Sequence, residues 1–289
     1  MRCQATVGTG NCLSSSDFIL LAVVSPPLQA LVLMDAASTL PLVKLALAHK
    51  DLTPMTGLSS SALKTLLPGI FETDVTAWLK EQGLSERRIQ HSLGTARVAG
   101  ELAQLFQLKP EQVAACQTAG LLHDCAKSLP LNKLLTFCRD ADVLIDDADR
   151  KSPAVLHAVA GPALVQSRWE SLSESPEVLN AIRWHTTGRT NMGLVEEIVY
   201  IADKIEPTLR SSDFSAQVRT LLDARRLNSL DDAVLFLLNH SLRVLLDQCQ
   251  PIHPLSLEAR NHYLQRAQRC VTFTPELLVA ATTSSGDAS

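Results

Sequence analysis

Helix-start signals recur at short intervals between residues 72 and 272, and no run there shows the apolar–polar alternation of a half-buried strand. Pro110, Pro153, Pro176 and Pro254 each stand where a helix is expected to begin. Leucine and alanine dominate the composition, and both lose little conformational freedom on entering a helix. The sequence therefore predicts an all-α helical bundle over residues 72–272.

Capping residues and apolar spacing predict where individual helices begin and end. Ser85 can cap a long helix whose apolar residues recur every three or four positions up to Phe106. The other predicted helices run from Thr73 or Asp74 to Gly83, from Pro110 to about His123, from Ser152, from Ser175, from Leu194 to Ile205, from Leu230 to Leu246 after a cap at Ser229, and from Pro254 to about Cys270. Asp140 to Lys151 is interpreted as an acidic loop.

The two ends of the chain differ from its helical part. Residues 1–71 are rich in Ser, Thr, Leu and Pro, and they are predicted to be an extension of uncertain order or a non-native leader. Residues 273–289 are expected to form a flexible tail. The apolar run 18–34 is near the lower length limit for a membrane span, and Pro26 and Pro27 interrupt it. We therefore expect no membrane segment.

Cysteine usage and net charge indicate which cellular compartment and which binding partners to expect. The seven cysteines are odd in number, widely spaced and without a CxxC pair, which favours free thiols in the cytoplasm over a disulfide framework or a zinc knuckle. The net charge of −4 at pH 7 argues against a protein that binds duplex nucleic acid.

Histidines and aspartates lie inside apolar helical sequence near the middle of the chain. Apolar residues 119–122 deliver His123 and Asp124 to the end of a predicted helix, where a buried imidazole and carboxylate are costly unless paired or bound to a metal. Similar contexts surround His91, His157, His185 and Asp203. Any one of these histidines alone is more often a satisfied core residue. As a set they predict a centre for Zn, Fe, Mn or Co, in which Asp124 can bridge two ions about 3.5–4 Å apart.

The order His91, His123-Asp124, Asp203 resembles the HD-domain pattern. A closer resemblance, to the YqeK-type family of HD-domain symmetrical diadenosine tetraphosphate hydrolases, rests on five segments: RIQHSL (88–93), AGLLHDCAK (119–127), LHA (156–158), AIRWHTTG (181–188) and IADKIEP (201–207). Residues 251–261 also resemble the C-terminal stretch of that family. The resemblance covers roughly residues 74–271, and the first 71 residues have no counterpart in it.

The resemblance implies roles for individual residues in a metal and substrate site. It implies one or two transition-metal ions, with iron favoured and Mn, Co or Zn as alternatives, held by His91, His123, Asp124 and Asp203. It places around the nucleotide phosphates Arg88, Lys127, His157, His185, Thr186 and Arg210. The family reaches its arginine sooner after Glu-Pro than this chain does, which leaves the role of Arg210 open. His253 and Ser256 are expected beside the nucleoside.

The implied reaction is hydrolysis of diadenosine tetraphosphate into two ADP by metal-activated water. Asp124, His157 and His185 are the expected catalytic residues, since Asp124 can bridge metals and either histidine can help stabilise the leaving ADP. The implied partner is a small dinucleoside polyphosphate.

Two other functions stay open at this stage. One is a different HD-domain phosphohydrolase, acting on a nucleoside monophosphate, a deoxynucleotide or an alarmone. The other is a non-catalytic, nucleotide-sensing HD module, which metal analysis of the purified protein would distinguish. The sequence leaves the oligomeric state open, with a homodimer as one alternative.

Overall fold

The computed structural model describes residues 66–209, 211–223, 226 and 228–267. It contains α1 (Glu72–Glu81), α2 (Glu86–Leu105), α3 (Pro110–Leu122), α4 (Leu131–Asp140), α5 (Asp147–Lys151), α6 (Leu156–Arg168), α7 (Pro176–Trp184), α8 (Leu194–Ile205), α9 (Ser212–Arg219), α10 (Ser229–Asp247) and α11 (Pro254–Arg266). Two 3-10 turns, Pro153–Val155 and Glu170–Glu174, flank α6. No strand occurs within the described ranges, which confirms the predicted all-α class.

Some predictions concern parts of the chain outside the described residues. These are the extension up to residue 65, the apolar run 18–34, the site residue Arg210 and the tail 273–289. Of the predicted extension, residues 66–71 are described, and the Leu67 backbone N–H donates to Thr118 Oγ1 of α3 at 3.1 Å. Across the described ranges, no helix combines the length and the apolar character needed to cross a bilayer.

The start of α1 differs from its prediction, whereas its end agrees. The helix begins at Glu72, so Thr73 and Asp74 lie in its first turn and do not cap it. Gly83 follows the helix with a φ of 85°, and the N–H groups of Gly83 and Leu84 donate to the carbonyls of Lys80 and Leu79. This is the Schellman arrangement that a C-terminal glycine allows.

Prolines and apolar runs predicted other helix boundaries well. The first residues of α3, α7 and α11 are the prolines expected there, and α8 has the predicted bounds. Ser229 is the first residue of α10 and not its cap. The predicted acidic loop is wrong in part, because α5 lies within it and Asp146 caps that helix by accepting from the Asp149 N–H at 2.7 Å.

The packing of α2, α3, α7 and α8 positions the candidate site. These helices share one buried apolar core. A Cβ atom at Gly120 of α3 would lie 2.9 Å from Ala96 Cα of α2, which is closer than carbon atoms pack. The absence of a side chain at Gly120 therefore lets α2 and α3 approach closely, just before His123 and Asp124.

Candidate metal centre

Imidazole and carboxylate side chains from five helices or helix ends converge at one place. They come from α2, the end of α3, α6, the end of α7, and α8: His91, His123, Asp124, His157, His185 and Asp203. All are buried except Asp203, whose side chain is 15% exposed. All six were predicted from the sequence.

Three of the four rings share one hydrogen-bonding arrangement. In each, Nδ1 lies 2.8 Å from the backbone carbonyl three residues earlier: His123 to Gly120, His157 to Ala154 and His185 to Ile182. A carbonyl only accepts hydrogen bonds, so each Nδ1 carries a proton and each Nε2 is directed into the centre. The chain thus presets these imidazoles as ligands through Nε2.

Asp124, His157 and His185 form one possible ligand group, here called the His157 group. Asp124 Oδ1 lies 3.1 Å from His157 Nε2 and 3.4 Å from His185 Nε2. The two Nε2 atoms are 3.2 Å apart, and two lone pairs at that distance repel unless a cation or donor lies between them. Ligands about 2.1 Å from one ion lie ~3.0–3.4 Å from each other, so these spacings fit a metal.

His91, His123 and Asp124 form a second possible ligand group, here called the His91 group. His123 Nε2 is buried without a hydrogen-bond partner, and it lies 3.7 Å from Asp124 Oδ2. Asp203 Oδ1 adjoins this group, 3.1 Å from His91 Nε2 and 3.5 Å from His123 Nε2. A buried ring nitrogen without a hydrogen-bond partner that faces two carboxylates is suited to be a metal ligand.

Asp124 belongs to both groups and directs a different oxygen to each. Oδ1 faces the His157 group and Oδ2 faces His123. Two cationic side chains flank the same carboxylate, with Arg88 Nη1 3.2 Å from Oδ2 and Lys127 Nζ 3.6 Å from Oδ1. Lys127 Nζ also lies 3.1 Å from His157 Nε2. The predicted bridging position of Asp124 thus has a cation on each side.

The protonation states suit metal binding by the His157 group. Burial lowers the pKa of His157, and it lowers the pKa of His185 to about 4, so both rings are neutral near pH 7. Burial acts to raise the pKa of Asp124, but His123, His157, His185 and Lys127 outweigh it and hold that pKa well below its usual value. Ionised carboxylate and neutral imidazole are the forms that bind metals.

His91 is set up differently from the other three rings. Its Nδ1 lies 2.7 Å from Glu206 Oε2, while Nε2 faces Asp203. Burial acts to lower the pKa of His91, but hydrogen bonds to Asp203 and Glu206 raise it to about 9. A metal held at His91 would therefore displace a proton from this ring near pH 7.

A cavity of about 170 Å³ opens beside the centre. Thr186, His253 and Ser256, all predicted to contact substrate, contribute to its lining. Thr186 Oγ1 is 3.1 Å from His185 Nε2, which connects the cavity to the His157 group. Its volume is close to the ~150 Å³ of a cavity that admits a benzene ring, so it has room for one six-membered aromatic ring.

Both ring nitrogens of His253 face protein groups. The Leu255 backbone N–H donates to His253 Nδ1 at 3.3 Å, so Nε2 carries the proton and points towards Asp149 Oδ1 at 3.4 Å. Arg183 Nη2 lies 3.7 Å from the same oxygen. Although Asp146, Asp149 and His253 are close enough to share an ion, the ring has no free lone pair and a guanidinium already balances the carboxylate.

Two residues of the centre carried no role in the sequence prediction. Lys204 is buried, and its Nζ donates to the His185 carbonyl at 2.7 Å and to Asp203 Oδ2 at 3.3 Å. Glu206 supports His91 as described above. Both lie in the IADKIEP segment, whose resemblance to the family was the one sequence feature that could have indicated their roles. A Lys and a Glu at a helix end are usually solvated, so no role was predicted for either.

Comparison with known proteins identifies relatives over this region. A model of the HD domain matches residues 88–208, which include all six candidate ligands. A symmetrical bis(5'-nucleosyl)-tetraphosphatase of Halalkalibacterium halodurans is 35% identical over 63% of this chain and 91% of that protein. Its namesake from Bacillus subtilis is 30% identical, with the same two coverages of 63% and 91%.

A solved structure is similar as well. It is a Clostridium acetobutylicum protein described as a predicted HD superfamily hydrolase involved in NAD metabolism. It is 34% identical to this chain, with a TM-score of 0.59, over 67% of this chain and 97% of that one.

Proposed function

The chain belongs to the YqeK-type family of HD-domain hydrolases, and we propose that it is a metal-dependent enzyme that cleaves diadenosine tetraphosphate symmetrically into two ADP. Water adds to one of the two central phosphorus atoms, and the oxygen that bridges them leaves with the other ADP. Each product keeps two phosphates.

The position of Asp124 carries this proposal. One carboxylate faces two groups of preset imidazoles, and a cation lies against each of its oxygens. We propose that His91, His123, Asp124 and Asp203 hold one ion and that Asp124, His157 and His185 hold a second. Imidazole and carboxylate ligands together suit Fe, Mn, Co or Zn, and iron is our proposal. A bound metal supplies a lower pKa for water and positive charge beside the phosphates.

Arg88 and Lys127 are proposed to neutralise the tetraphosphate. Both reach Asp124 from the solvent side, with side chains 38% and 30% exposed. A metal bound by His157 would take the Nε2 lone pair that Lys127 Nζ faces at 3.1 Å, which frees the ammonium to turn towards a phosphate. Arg210 remains part of this proposal only through the family resemblance.

Thr186 and the cavity are proposed to bind the remainder of one nucleotide. The Thr186 hydroxyl lies where the cavity meets the His157 group, so it can donate to a phosphate oxygen. Ser256 also lines the cavity, which we propose to hold the nucleoside. His253 is proposed to shape the cavity wall, because its Nδ1 accepts from the Leu255 N–H and its Nε2 faces Asp149. The mostly apolar wall suits the flat face of a base.

His157 and His185 are proposed to stabilise the leaving ADP indirectly. Their low pKa values make them poor proton donors at neutral pH, so we assign them to ligand binding and not to general acid catalysis. Positive charge at this position, from the ion and Lys127, would then balance the charge that develops on the departing phosphate.

Product analysis tests the proposal. Metal-free protein would be supplied with iron, manganese or cobalt and given diadenosine tetraphosphate, and the nucleotides would be separated by chromatography. ADP as the only product supports the proposal. ATP plus AMP would contradict symmetrical cleavage, and no turnover with any metal would favour a nucleotide-sensing module.

The buried free cysteines fit the reducing cytoplasm, which we propose as the compartment of this protein.

A further inference from the structure

Glu206 is a buried carboxylate with a partner for each oxygen. The residue is 1% exposed at the end of α8. Its Oε2 accepts from His91 Nδ1 at 2.7 Å, and its Oε1 accepts from the Thr208 backbone N–H at 2.7 Å. The carboxylate thus has a hydrogen-bond donor at each oxygen, one on the His91 ring and one on the backbone. A buried charge of this kind is retained only where it is fully paired.

Glu206 gives His91 a support that the other three imidazoles of the centre lack. Those three donate Nδ1–H to neutral backbone carbonyls, whereas His91 donates to a charged carboxylate. A carboxylate behind a ligating imidazole fixes its orientation and makes it a more basic ligand. Because Asp203 lies one helical turn before Glu206, the last turn of α8 holds both sides of the His91 ring.

The packing of α2 leaves space for this carboxylate. Gly94 lies one turn after His91 on the same helix, and a Cβ there would lie 2.7 Å from both Cγ and Cδ of Glu206. Any larger residue would push the carboxylate away from His91. The missing side chain at Gly94 therefore leaves the space that the Glu206 carboxylate occupies beside His91, although the two residues are far apart in the sequence.

We propose that Glu206 is a positioning residue that fixes His91 with Nε2 towards Asp203, and that its charge strengthens metal binding by the His91 group relative to the His157 group. The inference rests on the proposed metal centre. It predicts that the two ions respond unequally to loss of Glu206. Removal of such a support typically weakens metal affinity about 10–100-fold.

Manganese titration of the full-length, metal-free protein tests this inference. Wild type, Glu206→Ala, Glu206→Gln and Gly94→Ala would be titrated with Mn²⁺ in a calorimeter. Glu197→Gln is the matched control, since Glu197 is also a buried carboxylate on α8 but accepts from Tyr263 Oη at 2.6 Å, away from the centre. Circular dichroism would verify that each variant is folded.

We expect wild type to bind two ions, and Glu206→Ala and Gly94→Ala to bind one of them about 10–100-fold more weakly. Glu206→Gln keeps an acceptor for His91 without the charge, so it should lose less. Glu197→Gln should bind both ions as wild type does. If Glu206→Ala folds poorly, the manganese affinities of Glu206→Gln and Gly94→Ala, compared with wild type, decide whether the inference holds.

Equal affinities in wild type, Glu206→Ala and Gly94→Ala would overturn the inference, and so would equal weakening of every variant including Glu197→Gln. A wild type that binds no manganese would overturn it together with the proposed metal centre. A wild type that binds manganese but does not cleave diadenosine tetraphosphate would refute the proposed function alone, and the affinities would still decide the role of Glu206.

Discussion

Replacing Gly120 with alanine should lower enzymatic activity strongly while lowering the stability of the fold only moderately. The new Cβ would lie 2.9 Å from Ala96 Cα and 3.0 Å from Ala96 N, and both are backbone atoms that no rotamer change can move. Carbon atoms pack at about 3.5 Å or more, so α2 and α3 must separate locally by ~0.6 Å. That shift moves His91 relative to His123, and it exceeds the ~0.2 Å within which metal–ligand distances are held.

The expected magnitudes differ for the two properties. Overpacking costs about 1–3 kcal/mol, which the ~1 kcal/mol gained by replacing glycine in a helix partly offsets. The free energy of unfolding should therefore fall by at most about 2 kcal/mol. A misplacement of this size at a catalytic centre should lower kcat/KM for diadenosine tetraphosphate about 10–100-fold.

Steady-state kinetics and urea unfolding measure the two effects, with Gly193→Ala as the control. A Cβ at Gly193 has no atom nearer than Glu196 Oε1 at 3.8 Å, and loss of a glycine N-cap costs up to about 1 kcal/mol. This control should lose some stability and keep wild-type kcat/KM. A Gly120→Ala enzyme with kcat/KM within about twofold of wild type would refute the reasoning about helix spacing.

Three further predictions follow from single side chains. Asp124→Ala should lose hydrolysis and metal binding while its circular dichroism stays helical, and turnover at the wild-type rate would remove Asp124 from the centre. Lys127→Ala should lower kcat/KM about 10–100-fold, the worth of one charged hydrogen bond, and an unchanged value would remove Lys127 from the substrate site. Burial raises the pKa of Glu197 from 4.5 to about 7, so its contribution to stability is complete below pH 4.5 and is lost as the pH rises through 7. Urea unfolding should therefore show Glu197→Gln losing about 3 kcal/mol less than wild type between pH 4.5 and pH 8, and parallel profiles would contradict this.

The helices that could be predicted from the sequence have strong local signals at their ends. The bounds of α8 were predicted correctly, because its apolar run starts after Gly193 and stops before Glu206-Pro207. By contrast α4 was not predicted, and it begins after Pro130 with no polar side chain that caps it. Short α9 was missed as well, although Ser211 caps it by accepting from the Phe214 N–H. Neither has an apolar run long enough to stand out beside its neighbours.

The candidate ligands could be predicted because each is a polar residue within apolar sequence. Their supports could not, since they depend on contacts between distant parts of the chain. Glu206 meets His91 across 115 residues, and the buried Lys204 reaches the His185 carbonyl across 19. Likewise, nothing local in the sequence indicates that the His253 ring would lie 3.4 Å from the Asp149 carboxylate.

Anomalous diffraction from crystals of the manganese-loaded protein tests the central claim most directly. We expect two peaks that share Asp124, one beside His91, His123 and Asp203 and the other beside His157 and His185. A protein whose manganese lay only elsewhere, for example beside Asp149, or that showed no peak next to Asp124, would contradict the account.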